Sequence, residues 1–415
     1  MRDLRLESAM PRTLLTLLLA LLSLSTTPAQ APQQVAVPWG NWVEADFPFF
    51  SSVVDARRAG PGFPAGNRRT AQGRCRSMAA QGGGMTIGGA AGVCVIIPAF
   101  EAAQTIGRAV RSALGQREVS EVIVVDDASR DATSAAAAAA GDGSGRLRLL
   151  RLERNRGPSA ARNAALRVAT APLIAILDAD DHLLPNRFAR LGHDGAWDLV
   201  ADNILFLPEH GDAEPDASGL AAAPDQRRTL DFDEFVRRNI SQPGRPRAEL
   251  GFLKPVMRRD MLARLGLRYD ETLRLGEDFI FYATALARGA RFDLSSRCGY
   301  VAIERAGSLS GRHATADLTA LADAEAVLLA ELTAKGQRSE RRILARHLAA
   351  VRAKAAHRLF LDRKRRAGMI AATAPLLPRP MTFARVAGAV FRDKTAGPLP
   401  MPEQRFLFAA ADFAG

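Results

Sequence analysis

Ile174-Ala175-Ile176-Leu177-Asp178-Ala179-Asp180-Asp181 is an apolar run that ends abruptly in three carboxylates within four positions. The apolar part reads as a strand buried on both faces. Carboxylates this close repel one another, and burial penalises each unless a cation sits between them. Oxygen ligands of this kind suit Mg²⁺ or Mn²⁺, ions that commonly also hold a substrate phosphate. An aspartate at a strand exit can also serve as a helix cap, so the surrounding chain must decide.

Upstream, Val93-Cys94-Val95-Ile96-Ile97, closed by Pro98, reads as a buried strand, and Ile106, Val110 and Leu114 recur at helical spacing. Val122-Ile123-Val124-Val125 then runs into Asp126-Asp127-Ala128-Ser129. A helix is expected over 131–140, a strand over 147–152, a helix over 159–169 with Pro158 at its first position, and a strand over 172–177. Strand and helix alternate about every 25 residues, which predicts βαβ units on a parallel sheet. Ligands bind such sheets beyond the carboxyl ends of the strands. Pro98-Ala99-Phe100-Glu101, Asp126-Asp127 and Asp178-Ala179-Asp180 all fall there. No glycine-rich dinucleotide or P-loop signature follows the first strand. Asp126 and Asp131 read as helix caps.

The flanking regions differ in character. Residues 1–90 hold an apolar run at 14–24 behind Arg2, Arg5 and Arg12, then a Gly-, Pro-, Gln- and Arg-rich stretch that reads as disordered. The run resembles a secretory signal, but Met78 and Met85 precede the first strand closely, and a mis-called start is the reading preferred here. Lys254-Pro255-Val256-Met257 suggests a strand or sheet edge, and Phe279, Phe281, Tyr282 and Leu286 a helix on the sheet. Residues 315–366 are helical and basic, closing on Arg363-Lys364-Arg365-Arg366. Contact with an anionic membrane and packing against the main domain are equally open there. The remainder, rich in proline, reads as an irregular tail.

The chain has 415 residues, 47% of them hydrophobic, and a net charge of +12 that is largely arginine. That charge suits an anionic partner, whether nucleic acid, an acidic membrane face or a phosphorylated substrate; an arginine- and alanine-rich composition would also produce it. A nucleic-acid groove would call for stacking aromatics, and the chain has 3 Trp and 3 Tyr. Cys75, Cys94 and Cys298 form neither a disulfide framework nor a metal spacing, and a reducing compartment is the simpler reading.

Five phrases together resemble the inverting family 2 glycosyltransferases: Val95-Ile96-Ile97-Pro98-Ala99-Phe100-Glu101, Val124-Val125-Asp126-Asp127-Ala128-Ser129-Arg130-Asp131, Gly157-Pro158-Ser159-Ala160-Ala161-Arg162-Asn163, Leu177-Asp178-Ala179-Asp180-Asp181 and Gly276-Glu277-Asp278. In detail the chain is similar to succinoglycan-type exopolysaccharide glucosyltransferases, through Asp198-Leu199-Val200-Ala201-Asp202-Asn203, Gly251-Phe252-Leu253-Lys254-Pro255 and Arg305-Ala306-Gly307-Ser308-Leu309-Ser310. Glu101 departs from the asparagine common in the family.

The resemblance implies an α/β chain with the GT-A fold, a Rossmann-like nucleotide-diphospho-sugar transferase with a mostly parallel central sheet flanked by helices. The expected organisation is an N-terminal extension over 1–90, a GT-A domain over 91–312 with its nucleotide-sugar half at 91–192 and acceptor half at 193–312, and a helical basic region over 313–415. Pro98 and Ala99 would lie against the base, Asp127 would accept a hydrogen bond from it, and Asp178 would lie near the ribose. Glu101 belongs to the same nucleotide-sugar set. Arg162 corresponds to a position beside the nucleotide, with a surface pairing to Asp127 equally open. Asp180 would hold Mn²⁺ or Mg²⁺ on the diphosphate, and Asp278 would be the general base, with Glu277 the next candidate. His313 corresponds to a late metal-binding histidine in some relatives, although a loop histidine is the plainer reading. The implied donor is a UDP-hexose, glucose by the finer resemblance. The implied acceptor is a lipid-linked oligosaccharide or other glycan, reached in the cytoplasm or peripherally at the inner face of the plasma membrane. The rival readings are a nucleotidyltransferase of related fold, whose basic signature loop Pro98-Ala99-Phe100-Glu101 does not supply, and a basic nucleic-acid-binding protein.

Overall fold

The computed structural model describes residues 92–191, 196–209, 225–240, 248–304, 314–395 and 404–413. The expectations for 1–90, for His313 and for Arg305 to Ser310 lie outside them.

The apolar runs become strands where expected. They are β1 (Val93–Ala99), β2 (Val119–Asp126), β3 (Leu147–Arg151) and β4 (Leu173–Ile176). Between them lie α1 (Ile106–Leu114), α2 (Thr133–Ala139) and α3 (Pro158–Val168). Then come β5 (His182–Leu183), β6 (Leu199–Pro208), β7 (Arg227–Leu230), α4 (Phe232–Arg238), β8 (Val256–Arg258), α5 (Arg259–Arg264), α6 (Glu277–Ala287) and β9 (Phe292–Glu304).

The sheet runs β3-β2-β1-β4-β8-β6-β9-β5. The first four strands are parallel, with Ile96 of β1 registered against Ile123 on one side and Ile176 on the other. β8 lies antiparallel between β4 and β6, so Val256 and Met257 are interior, not at an edge. β6 and β9 are parallel to each other, and β5 and β7 run antiparallel to β9. The sheet is thus parallel over the first half and mixed over the second. β2 and β4 flank β1 on opposite sides, so the strand order reverses there, and in such sheets the ligand crevice lies beyond the carboxyl ends of the strands at that point.

Buried ion pairs anchor the second half. Arg187 and Asp202 are 1% and 3% exposed. The guanidinium donates through Nε and Nη2 to the Asp202 carboxylate, and Nη2 also reaches the Lys254 carbonyl at 2.6 Å. A Cβ at position 299 would collide with both side chains, so glycine is required there.

After the sheet come α7 (Thr315–Ala334), α8 (Arg338–Thr373, interrupted at Gly368) and α9 (Pro380–Thr395). Leu321, Leu328 and Leu332 of α7 and Leu344, Leu348 and Val351 of α8 join the main core, whereas Val327 is 72% exposed. Packing against the main domain therefore accounts for the first half of the basic stretch. His347 is buried, with Nδ1 2.9 Å from Glu325 and its ring stacked 4.3 Å from Phe279. The proline-rich remainder is not simply irregular, because it carries α9 and a short strand, β10 (Arg405–Phe406), antiparallel to β6. Proline misled the reading, since Pro380 opens α9, where its missing N–H costs nothing. Asn203 clamps β10 in place: its Nδ2 donates to the Phe408 carbonyl at 3.0 Å, and its Oδ1 accepts from the Phe408 N–H at 2.9 Å.

Asn203→Ala should remove both of these buried hydrogen bonds, costing about 1–3 kcal/mol each where a backbone group is left unpaired. Hydrogen exchange should show the 405–408 amides losing protection while those of β1 keep theirs.

Candidate active site

The turns beyond β1 and β2 brace each other before either reaches a ligand. The Asp127 N–H donates to the Ala99 carbonyl at 2.8 Å. Glu101 sits at φ 50°, a left-handed conformation; its N–H donates to Ser129 Oγ, and its Oε1 accepts from the Arg130 N–H at 2.8 Å. Asparagine adopts that conformation more easily than glutamate, and the contact with the Arg130 N–H gives Glu101 a bracing role there. Pro98 is half-buried, Ala99 is buried and the Phe100 ring is 51% exposed.

Asp127 accepts two backbone N–H groups, from Arg156 at 2.7 Å and Gly157 at 2.6 Å. Burial nevertheless pushes its carboxyl above the ordinary range. A carboxylate has about four lone-pair sites, so a further donor can still be accommodated. Gly157 precedes α3 at φ 89°, a conformation that L side chains rarely adopt, with the Arg274 guanidinium lying over it. Asp126 and Asp131 are not helix N-caps, since Ala132 holds that position. Asp126 accepts from Ser134, from the Ser129 N–H and from Arg151; Asp131 accepts from Thr133 and the Ala103 N–H.

The centre of the site is a charge cluster. Arg162, on α3 and 3% exposed, reaches Asp178 at 3.2 Å, Glu277 at 3.0 Å and Asp278 at 3.4 Å. It lies over the Tyr269 ring at 5.1 Å. It does not pair with Asp127, because the face of α3 that carries it turns inward with Ala161 and Ala165. Lys254, 7% exposed, reaches Asp178 at 3.0 Å and Asp278 at 2.8 Å. Burial alone would raise the Asp178 carboxyl, but Lys254 and Arg162 overcome it and hold the group at about 2. Lys254 itself is raised, because Asp178 and Asp278 outweigh its burial. Asp278 Oδ1 is buried and accepts no hydrogen bond among the described residues.

Asp181 turns away from this cluster. It accepts from the Tyr300 hydroxyl at 2.6 Å and the Ile303 N–H at 2.9 Å, and the Asp178 N–H donates to the same Tyr300 oxygen. Burial, then Asp178 and Asp180, push its carboxyl well above the usual range. Asp180 is half-buried at the crevice, and its carbonyl accepts from Arg108 at 2.9 Å. Among the described residues no group of three or more His, Cys, Asp or Glu could hold a metal ion by itself. Asp178 and Asp181 are committed to protein partners. A single carboxylate acting with a ligand's phosphates is a common arrangement for Mg²⁺, and Asp180, just beyond β4, is placed to be that carboxylate.

The structure therefore joins Arg162, Asp178 and Asp278, keeps Asp127 and Glu101 in the adjoining braces, and adds Lys254, Tyr300 and Asn163, to which sequence reasoning gave no role. Asn163 ties α3 to the 269–271 segment through the Tyr269 backbone and Glu271. The missed signal at Lys254 was a lone lysine amid Phe252-Leu253 and Val256-Met257, since lysine is almost never buried unless paired.

The family model for glycosyl transferase family 2 matches residues 94–192. The succinoglycan biosynthesis protein ExoU of Rhizobium meliloti is 44% identical over 75% of this chain and 90% of its own length. ExoO of the same organism, also a succinoglycan biosynthesis protein, is 39% identical over 52% of this chain and 62% of its own. A crystal structure of S. aureus TarS 1–349 in complex with UDP superposes with a TM-score of 0.49 at 17% identity, covering 76% of this chain and 95% of that one.

Lys254→Met should destabilise the protein by about 3 kcal/mol or more, because it strips a partner from a buried charge cluster. Adding Asp278→Asn should recover part of that loss, as coupled groups are non-additive. Urea unfolding of both variants is the measurement, and strict additivity would mean that the two side chains do not act as one unit.

Proposed function

The chain belongs to glycosyltransferase family 2, and from that premise we propose that it is an inverting, metal-assisted hexosyltransferase of bacterial exopolysaccharide synthesis. The donor is a UDP-hexose, with glucose as the sugar. The acceptor is a lipid-linked oligosaccharide, met at the inner face of the plasma membrane. The 44% identity to ExoU over most of both chains supports the exopolysaccharide setting.

The observation that carries the mechanism is Asp278. Lys254 fixes its Oδ2, while Oδ1 is buried beside Arg162 and accepts no hydrogen bond among the described residues. The Asp278 carboxylate is the general base. It takes the proton from the acceptor hydroxyl as the hydroxyl oxygen bonds to the anomeric carbon, and the bond to the nucleoside diphosphate breaks on the opposite face. Arg162 and Lys254 orient Asp278 and Asp178 before substrate arrives, so little reorganisation is needed at the moment of reaction. Pro98, Ala99, Glu101 and Asp127 line the nucleotide end, with Asp178 toward the ribose. Asp180 would hold Mn²⁺ or Mg²⁺. When bound, the ion would neutralise charge on the leaving diphosphate.

UDP release from a panel of UDP-hexoses with Mn²⁺ present tests the reaction; release above background from none of them would sink it. Two substitutions test the roles. Asp278→Asn keeps the shape of the side chain and removes the proton acceptor, so turnover should fall about a hundredfold or more while the UDP dissociation constant hardly moves. Asp180→Asn should instead weaken Mn²⁺-dependent UDP binding by calorimetry. Equal loss of UDP affinity in both variants would remove Asp278 as the base and bring Glu277 forward.

A further inference from the structure

The bend between α8 and α9 has an apolar exterior of its own. Phe383, Val386, Ala387 and Val390 of α9 pack on Phe360 and Ala372 of α8 as a small core separate from the main one. The helix therefore returns along its predecessor, and the bend lies at one end of the pair. Around that bend Ile370 is 81% exposed, Leu377 53% and Met381 70%. Ala371, Pro375, Pro378 and Pro380 are exposed beside them. On α9 the exposed Met381 and Ala384 continue this face opposite the packed one.

The charges around the bend all have one sign. Residues 363–392 contain seven Arg or Lys and no Asp or Glu. Arg365 and Arg366 precede the bend, Arg379 lies in it and Arg385 follows it, and all four are exposed. An apolar face rimmed by cations is the composition of elements that lie in the headgroup region of a bilayer. The long basic side chains keep their charge at the surface while their stems follow the apolar part inward. Anionic lipids attract such clusters, with each Lys or Arg adding to the affinity.

Other occupants fit less well. A second copy of the chain meeting this face symmetrically would oppose cation to cation, with no acid within the segment to compensate. Nucleic acid would be met by aliphatic side chains in place of a stacking platform. We propose that the α8–α9 bend is a peripheral membrane-docking surface for an anionic lipid bilayer, with Ile370, Leu377 and Met381 entering the headgroup layer and Arg365, Arg366, Arg379 and Arg385 engaging lipid phosphates. The docking stands on this surface alone; its use, bringing the crevice to a lipid-linked acceptor, rests on the glycosyltransferase reading above.

The experiment is sedimentation of the full-length chain with vesicles of phosphatidylcholine, alone or mixed with phosphatidylglycerol. Binding to the anionic vesicles should exceed binding to the neutral ones by about tenfold or more and weaken as salt rises. The double variant Ile370→Asp/Met381→Asp should lower the bound fraction about tenfold, with circular dichroism and UDP affinity unchanged. Arg365→Glu/Arg366→Glu should abolish the preference for anionic vesicles. The proposal is overturned if the wild-type chain stays in the supernatant with anionic vesicles, or if the Ile370→Asp/Met381→Asp protein sediments as well as wild type. It also falls if light scattering shows a dimer that this variant dissolves while vesicle binding is unaffected. UDP release assayed on the same samples separates the two readings. Turnover without vesicle binding removes only the docking surface, and vesicle binding without turnover on any donor removes only the enzymatic assignment.

Discussion

Two buried cations hold the site together. Arg162 comes from a helix in the parallel half of the sheet, and Lys254 from the segment entering β8 in the mixed half. The carboxylates they join, Asp178, Glu277 and Asp278, come from the exit of β4 and the start of α6. Arg162, Lys254 and Asp278 are buried and Asp178 and Glu277 half-buried, and burying charge is costly unless each group finds its partners in good geometry. The two halves of the molecule therefore meet in one arrangement, whereas apolar packing alone would tolerate small slips. Three negative charges against two positive leave the cluster acidic, before Asp180 is counted.

The parallel half was legible because its signal is local. Each apolar run, from Val93-Cys94-Val95-Ile96-Ile97 to Ile174-Ala175-Ile176-Leu177, is its own strand, and each ends in the loop that carries chemistry. Asp178 could be singled out for the same reason, whereas Asp278, at a helix start, is named only through the resemblance. Arg162 is named through the resemblance, but its partners are not and Lys254 is given no role, because nothing local says that these two cations share carboxylates across a separation of more than ninety residues. Arg162 shows the limit most plainly: its surroundings in sequence are small residues and an asparagine, which suit a surface helix as well as a buried one. The 254–257 segment reads as a strand or a sheet edge, and its interior place could not be read because a strand so short gives no sign of neighbours on both sides.

The basic C-terminal stretch reads two ways in sequence because it plays two parts. Its first portion carries leucines into the main core and seats His347 against Glu325 and Phe279, the residue after Asp278. Its second portion leaves that core, breaks at Gly368 and builds a small core of its own. Composition alone does not separate the parts, since arginine is abundant throughout. What separates them is where the leucines and the phenylalanine find partners.

The clamp between Asn203 and Phe408 also fixes an order of events. The two residues are 205 positions apart, and ribosomes add roughly 5–20 residues per second. The outer part of β6 therefore emerges on the order of 10 to 40 s before the strand that will cover it. During that interval the nascent chain presents an open sheet edge, the kind of surface that invites pairing with other chains. The strand that covers this part of β6 is thus made long after its partner, and the edge stays open to misassembly until it arrives.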